Sequence, residues 1–294
     1  MPFRVHRWLP VGLLVFVRTP LLWAQADPPK VLVVIAHPDD DAMFAATVYA
    51  FTHQLHAAVD VAVITDGSGG YRYSQLAEPL YGLELTNEAV ARQYLPAIRK
   101  RELMAGGAIV GIRNYFFLDA LDLQYTESID TVLTQVWDAE DIRDRLRGVM
   151  GRGDYDFVFV HLPIVPFHGH HKAATVLALE AARRLDPAQR PIVLGSFAGS
   201  RADSASDLHY TTHPGYPITR VLPGDPFVFD RLTPLDPSGR LDHRIIVNWL
   251  IAEHKTQGTM QLLVNRGDLD RFWVFAENPP DAVERTRAVF ERLR

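Results

Sequence analysis

The sequence predicts an α/β fold built on a doubly wound, mostly parallel β-sheet. Short apolar runs rich in Val, Ile and Phe recur along the chain, with helical patterns between them. Within these runs apolar and polar residues do not alternate, which is typical of strands that are covered on both faces. Strands that alternate with helices favour a parallel sheet with helices on both sides.

The predicted elements follow in order along the chain. We expect strands at residues 31–35, 59–64, 115–118, 157–160 and 192–194. The first helix is indicated by an apolar stripe at helical spacing, formed by Phe44, Val48, Phe51 and Leu55. Further helices are expected near residues 87–109, 138–150, 171–185 and 241–257, followed by a strand at 272–275 and a charged terminal helix.

The segment between Ser196 and His243 departs from this alternation. It contains six prolines, which indicate loops and short strands packed on the sheet. No internal repeat or low-complexity tract divides the chain. We therefore predict one domain over residues 27–294, with an irregular C-terminal extension.

The first 26 residues have the pattern of a secretory signal peptide. Arg4 and Arg7 form a basic start, residues 8–17 are apolar, and residues 24–26 (Ala-Gln-Ala) form a small-residue cleavage site. The apolar stretch is shorter than the ~20 residues that span a bilayer, and Arg18 interrupts it. We expect a secreted or periplasmic protein without a stable membrane anchor after cleavage; the alternative is an uncleaved anchor or a buried helix.

Charge and cysteine content narrow the functional classes. The chain of 294 residues has a formal charge of −5, and removal of residues 1–26 would make it −8 because three arginines are lost. An acidic surface argues against nucleic acid and extended anionic partners. The chain has no cysteine, so an exported form would depend on its hydrophobic core rather than on disulfides.

Two polar motifs follow predicted strands. His37-Pro38-Asp39-Asp40-Asp41 comes directly after the first strand, and His168-Gly169-His170-His171 comes shortly after His161 at the end of the fourth. In an open parallel sheet, reactive groups collect at the carboxyl ends of strands. Two imidazoles with a carboxylate suit Zn²⁺, and three protein ligands leave a position for water. The alternative is a polar turn that caps a helix.

Together these motifs resemble those of the PIG-L/LmbE-like de-N-acetylase family. Weaker similarities follow in the family's order: the glycine-containing loop at 65–70, Arg99 and Glu102, Asp122 after the third strand, and residues 254–257. The resemblance implies a Rossmann-like, LmbE-like metal hydrolase. Such an enzyme removes acetyl groups from N-acetylglucosamine conjugates and related amides.

The resemblance also implies the roles of the metal-site residues. His37, Asp40 and His171 would hold Zn²⁺, with Fe²⁺ or another divalent ion as an alternative. Zinc-bound water would attack the amide carbonyl, with Asp39 as general base. The chemistry fits, because zinc lowers the pKa of water to about 7 and a carboxylate can then accept its proton.

Three further roles are implied by the same resemblance. His168 would polarise the carbonyl or protonate the leaving amine, and Arg99 and Asp122 would bind the substrate. Arg99 has an alternative role as a helix-surface partner of Glu102, and Asp122 has one as a cap of the turn after the strand.

The chain departs from the family pattern at two places. His170 stands where the family's His-Pro-Asp-His motif has an acid, which leaves the protonation of His168 open. Residues 166–167 (Pro-Phe) replace a tyrosine of some relatives, so an oxyanion donor is either missing or supplied from elsewhere. The candidates are Tyr71, Tyr73, His209 and His213.

The remaining features have structural as well as functional interpretations. The loop at residues 66–70 lacks a following Lys and a G-x-G-x-x-G pattern, so it predicts a turn that approaches the site rather than a nucleotide loop. Residues 71–85 would form a lid over a sugar or a packed loop. His254 shares a helical face with Val247 and Leu250, which predicts a hydrogen-bonded core histidine.

The leading hypothesis is a zinc-dependent N-deacetylase acting on an N-acetylated amino sugar or a related small glycoconjugate. One alternative is hydrolysis of another N-acyl amide, and another is metal-dependent sugar binding without turnover. A NAD-dependent dehydrogenase would need the glycine fingerprint that the chain lacks.

Overall fold

The computed structural model describes residues 1, 27–123, 125–201 and 209–293. Except for Met1, the predicted signal peptide at residues 1–26 lies outside the described residues. Within the described ranges, no helix is both long enough and apolar enough to span a membrane.

The strands and helices alternate as expected. The strands are β1 (Lys30–Ile35), β2 (Ala58–Thr65), β3 (Ile112–Ala120), β4 (Phe157–His161), β5 (Ile192–Gly199), β6 (Phe227–Asp230) and β7 (Leu269–Val274). The helices are α1 (Ala45–Gln54), α2 (Glu78–Tyr81), α3 (Glu88–Val110), α4 (Ile129–Thr131), α5 (Ala139–Gly153), α6 (Gly169–Arg183), α7 (Arg244–Glu253) and α8 (Ala282–Phe290).

These strands form one sheet in the order β3-β2-β1-β4-β5-β7-β6. The first five strands in this order pair in parallel, whereas β7 is antiparallel to both β5 and β6. The predicted mostly parallel α/β fold is therefore confirmed. The chain runs outward from β1 to β3 and then returns to the other side of β1 with β4. Ligand sites in open α/β sheets form at such a switch point, beyond the carboxyl ends of the strands.

Two hydrophobic cores cover the two faces of the sheet. On one face, Leu32 packs with residues of α5 and α6, such as Leu177. On the other face, Val33 packs with residues of α1, α7 and α8, such as Phe51. Every residue of β1 after Lys30 is buried, which explains the continuous apolar run.

Two details of the sequence interpretation were wrong. Residues 115–117 were expected in a buried strand, but they are only partly buried because β3 lies at the edge of the sheet. The helix expected at residues 241–257 is shorter. Asp242 accepts a hydrogen bond from the backbone N of Arg244, where α7 begins. The helix ends at Glu253, and the next residue, His254, bonds Asp41 through its side chain.

Candidate metal centre and active site

The loops after β1 and β4 bring the two sequence motifs together. His37 lies two residues beyond the end of β1, and His171 lies in the first turn of α6. Because β1 and β4 are paired, the two loops leave the same edge of the sheet. The ring centroids of His37 and His171 are 5.0 Å apart. The switch point thus holds the histidines that the sequence singled out.

His37, Asp40 and His171 converge on one point. Nδ1 of His37 lies 3.1 Å from Nε2 of His171. The same Nε2 atom lies 3.0 Å from Oδ1 of Asp40. Nδ1 of His37 is 3.5 Å from Oδ2 of Asp40. Donor atoms arranged tetrahedrally around Zn²⁺ would be about 3.3 Å apart. The donor set and its spacing fit a divalent cation of this kind.

The backbone fixes the carboxylate of this triad. Oδ2 of Asp40 accepts hydrogen bonds from the backbone N of Ala36 at 3.0 Å and of His37 at 2.7 Å. These bonds hold Asp40 over the end of β1, so that its Oδ1 faces His171. The turn after the strand therefore presents a preoriented oxygen ligand.

The electric field at this point favours a positive charge. Burial lowers the pKa of His37, but the carboxylates of Asp40 and Asp122 raise it more, to about 9. A site that stabilises a protonated imidazole so strongly would also stabilise a metal cation. The charge of the site therefore agrees with the donor geometry.

A second histidine cluster shares His37 with the triad. His37, His168 and His170 offer ring nitrogens close enough for a common metal ion. Burial, followed by the neighbouring His37, lowers the pKa of His168 to about 3 and that of His170 to about 2. The three members of this cluster are all histidines, and Oδ1 of Asp122, which lies 3.5 Å from Nδ1 of His170, is not one of them. The triad with Asp40 is the better candidate for the metal centre.

His170 contacts the side of His37 that faces away from the triad. Nε2 of His37 lies 3.1 Å from Nδ1 of His170 and 3.7 Å from Oδ1 of Asp122. His170 is fully buried, and its ring centroid is 4.9 Å from that of Trp137. A histidine that binds metal through one nitrogen usually donates a hydrogen bond from the other. His170 is placed to accept it, with the carboxylate of Asp122 nearby but beyond hydrogen-bond distance, a role that the sequence did not reveal.

Asp39 is paired with Arg99. Arg99 donates a hydrogen bond from Nη2 to Oδ1 of Asp39. Its Nη1 donates a second hydrogen bond, of 2.6 Å, to the carbonyl oxygen of Gly67. Glu102 instead accepts a hydrogen bond from the backbone N of Thr256 at 3.0 Å. Arg99 is only 2% exposed. The alternative interpretation of Arg99 as a helix-surface partner of Glu102 was therefore wrong.

Asp122 lies against the glycine-containing loop. Its Oδ2 accepts a hydrogen bond from the backbone N of Gly69 at 3.1 Å. A Cβ atom at Gly69 would lie 2.7 Å from Cγ of Asp122, and Gly67 has a φ of +72° close to Pro38. Only glycine fits such close approaches without strain. The loop lets its backbone reach the site, as expected.

His168 begins helix α6. Its Nδ1 accepts a hydrogen bond from the backbone N of His170 at 3.2 Å. In the neutral imidazole the proton therefore lies on Nε2, which is a donor. The ring of Tyr125 packs against His168, with centroids 4.7 Å apart. Tyr125 is a tyrosine next to the site that the sequence did not single out.

Two adjoining cavities meet at the triad. One, of about 670 Å³, is lined by polar groups that include Arg99 and Asp122, and the other, of about 660 Å³, is largely apolar. The residues that line both are Asp39, Asp40, His168, His171 and Met260. A substrate centred on the triad could therefore extend in two directions with different chemistry.

Of the four candidate oxyanion donors, two line the polar cavity and two lie outside both cavities. Tyr71 and Tyr73 line the polar cavity. His209 and His213 line neither of these two cavities, and Nδ1 of His213 lies 3.1 Å from the carbonyl oxygen of Pro163. The two tyrosines are thus the better placed of the four.

His254 belongs to the core, as its helical position predicted. It is 1% exposed, and its Nε2 lies 2.8 Å from Oδ1 of Asp41. Asp41, the third acid of the first motif, therefore pairs with His254 beneath the site and is not part of the triad.

Solved structures with the same fold differ in activity. The N,N'-diacetylchitobiose deacetylase of Pyrococcus horikoshii is 15% identical, with a TM-score of 0.52 over 89% of this chain and 92% of its own. A deacetylase of the teicoplanin biosynthetic pathway, solved as a triple mutant, is 17% identical, with a TM-score of 0.53 over 83% and 97%. GalB, the 4-carboxy-2-hydroxymuconate hydratase of Pseudomonas putida KT2440, is 15% identical, with a TM-score of 0.52 over 84% and 95%. These likenesses show the fold, and the reaction must be argued from the site.

The sequence itself identifies the family. No curated protein matches the chain significantly in sequence. The PIG-L family, described as GlcNAc-PI de-N-acetylase, matches residues 32–182, which are more than half of the chain. This range contains the triad, Asp39, Arg99, Asp122 and His168. The chain belongs to the PIG-L de-N-acetylase family.

Proposed function

We propose that this protein is a metal-dependent amidohydrolase that removes the N-acyl group, acetyl in the simplest case, from an amino sugar or a related small glycoconjugate. The observation that carries the proposal is the convergence of His37, Asp40 and His171, with the Asp39 carboxylate beside them where two cavities meet. Membership of a de-N-acetylase family supports the same reaction.

The metal ligands would be His37, Asp40 and His171. A set of two histidines and one carboxylate suits Zn²⁺ and also Fe²⁺. The bound ion would act as a Lewis acid on the amide carbonyl and lower the pKa of water. His170 would fix the orientation of His37 through its second nitrogen, with the negative charge of Asp122 close to the same atom.

Asp39 would act as the general base. Its Oδ1 accepts a hydrogen bond from Arg99, which holds the carboxylate in one orientation at the border of the two cavities. A carboxylate positioned in this way can take a proton from an attacking water. Arg99 is then a positioning residue for the base. Its predicted contact with substrate, like that of Asp122, stays a prediction.

His168 would act on the carbonyl oxygen or on the leaving amine. Because its Nδ1 accepts from the backbone of His170, its Nε2–H is the group available to the substrate. A neutral imidazole with this tautomer donates a hydrogen bond to an oxygen that gains negative charge. The geometry therefore favours polarisation of the carbonyl by His168.

The polar cavity would hold the sugar. Its lining includes the hydrogen-bonding groups of Arg92 and Gln257 and the aromatic rings of Tyr71, Tyr73 and Tyr125. Polar groups bind sugar hydroxyls, and aromatic rings stack on the apolar faces of sugars. The segment expected to form a lid contributes two of these rings.

The test is acetate release from N-acetylglucosamine by the purified protein, before and after removal of metal with a chelator. We expect release that stops on chelation and returns when Zn²⁺ is added. Saturable sugar binding with a stoichiometric metal and no acetate would instead support the binding-protein alternative. Release that survives complete metal removal would contradict the proposed role of the triad.

A further inference from the structure

The apolar cavity next to the triad is much larger than an acetyl group. It has a volume of about 660 Å³ and begins at Asp40, His168 and His171. Cavities of this size hold whole small ligands, since typical sites measure about 300–1,000 Å³. The methyl of an acetyl group would leave most of this space unfilled. The larger apolar side chains along its walls include Met43, Phe167, Val247, Ile251, Met260 and Leu263.

Besides Asp39 and Asp40, three charged residues line this cavity, namely Arg231, Arg266 and Asp268. Arg266 is exposed, and Asp268 accepts a hydrogen bond from the backbone N of Arg201 at 3.1 Å. Arg231 is 3% exposed, and its Nε donates to Oδ1 of Asp270 at 2.6 Å. Its other nitrogens donate to the backbone oxygens of Arg266 and Met43. Arg231 is therefore not free to bind a polar ligand. The part of the cavity between the triad and this ion pair suits an apolar group.

The two cavities fit the two sides of an amide bond. An amide joins an amine, which here would belong to the sugar, to an acyl group, and the hydrocarbon chain of a simple acyl group beyond its carbonyl is apolar. The polar cavity has the hydrogen-bonding groups for the sugar, whereas the apolar cavity adjoins it at Asp40 and His171 and is otherwise lined mostly by different residues. The carbonyl carbon would lie between them.

We propose that the apolar cavity binds the acyl chain of the substrate, and that the protein prefers amino sugars whose N-acyl chain is longer than acetyl. This inference rests on the proposed function. In the reaction the oxygen of water forms a bond to the acyl carbon, the C–N bond breaks, and a proton passes to the nitrogen. The products are a fatty carboxylate and the free amino sugar.

The test compares glucosamine carrying N-acetyl, N-butanoyl, N-hexanoyl and N-octanoyl groups, with release of the free amine as the readout. Each methylene buried in an apolar pocket should raise kcat/KM about threefold, so hexanoyl should exceed acetyl by at least about tenfold. Hydrolysis of the acetyl compound with equal or weaker activity on longer chains would overturn the inference and leave the proposed function intact. Absence of amine release from every compound would contradict the proposed function itself.

Two cavity-filling variants and a control variant test whether the apolar cavity causes the preference for longer acyl chains. Ala198 lines the apolar cavity from β5, and Leu263 lines it at a position that is 38% exposed. Ala198→Phe and Leu263→Trp should each lower the hexanoyl-to-acetyl ratio of kcat/KM at least about fivefold. Tyr73→Ala, in the polar cavity, should leave that ratio unchanged. Because Leu263 is partly exposed, its variant keeps the test valid if Ala198→Phe does not fold. A ratio that neither filling variant alters would contradict the inference.

Discussion

Nε2 of His37 lies 3.1 Å from Nδ1 of His170, while Nδ1 of the same His37 ring faces Asp40 and His171. One imidazole therefore contacts the candidate metal position and a buried second histidine at the same time. In the family motif that His170 occupies, the corresponding residue is an acid. The sequence tied this replacement to the protonation of His168, whereas the side chain of His170 contacts His37, and its Nδ1 lies 3.5 Å from Oδ1 of Asp122.

His170→Ala should weaken metal binding. Loss of the group that orients a metal-binding histidine typically costs about 10–100-fold in affinity. His170→Asn, which keeps an acceptor near the position of Nδ1, should lose much less. Competition with a chelator of known affinity measures the Zn²⁺ dissociation constant for both variants. Equal affinity in His170→Ala and the wild type would show that His170 does not support His37.

Asp39→Asn should lower kcat by about 10²–10⁴-fold and leave the metal in place, because the amide cannot accept a proton from water. Rate measurements and metal content of the same preparation check both statements. Asp119→Asn makes the same change at a carboxylate that is 52% exposed and paired with Lys100, and it should behave as the wild type. A wild-type kcat in Asp39→Asn would remove Asp39 from the role of base.

His254→Ala should destabilise the protein without removing the metal. The change leaves the carboxylate of Asp41 buried without its partner, and such losses amount to about 3 kcal/mol in the free energy of unfolding. His254→Gln, which can still donate to Asp41, should lose less. Urea unfolding and metal analysis separate the two effects. Loss of metal with unchanged stability would instead make His254 part of the metal site.

Asp60 should contribute to the loss of stability in acid. Burial raises its pKa, but hydrogen bonds from Arg113 and Tyr155 lower the pKa more, so that it lies below its ordinary value. A carboxyl group whose pKa is lower in the folded than in the unfolded state stabilises the folded protein at pH values above the pKa of the unfolded state, which is about 3.9. That contribution is lost as the pH falls through the folded pKa.

Asp60→Asn should therefore lose less stability than the wild type between about pH 7 and about pH 3. The free energy of unfolding in urea at the two pH values gives the comparison, and the exposed Asp119→Asn serves as the control. An identical pH dependence in Asp60→Asn and the wild type would contradict the pKa assigned to Asp60.

The fold could be predicted because its strands carry a strong local signal. Val31 and its neighbours in β1 are buried on both faces, and a continuous apolar run reports such burial directly. The limits of α7 could not be predicted in this way. They depend on the side chains of Asp242 and His254, and the second of these bonds a residue 213 positions earlier in the chain.

The triad could be located because parallel strands place their carboxyl ends at one edge of the sheet. His37 and His171 follow β1 and β4, which turned out to be neighbours. The contacts of His170 with His37 and of Arg99 with Asp39 could not be inferred. They join residues 133 and 60 positions apart, and no local pattern encodes which side chains face each other across the site.

The central claim is that His37, Asp40 and His171 hold one divalent metal ion that the reaction requires. The most direct test is metal stoichiometry by mass spectrometry of the wild type and of His171→Ala, with acetate release measured on the same samples. His53→Ala, a change at an exposed histidine, serves as the control. We predict one equivalent of metal and activity in the wild type and in His53→Ala, and the loss of both in His171→Ala. One equivalent of metal in an active His171→Ala protein would contradict the account.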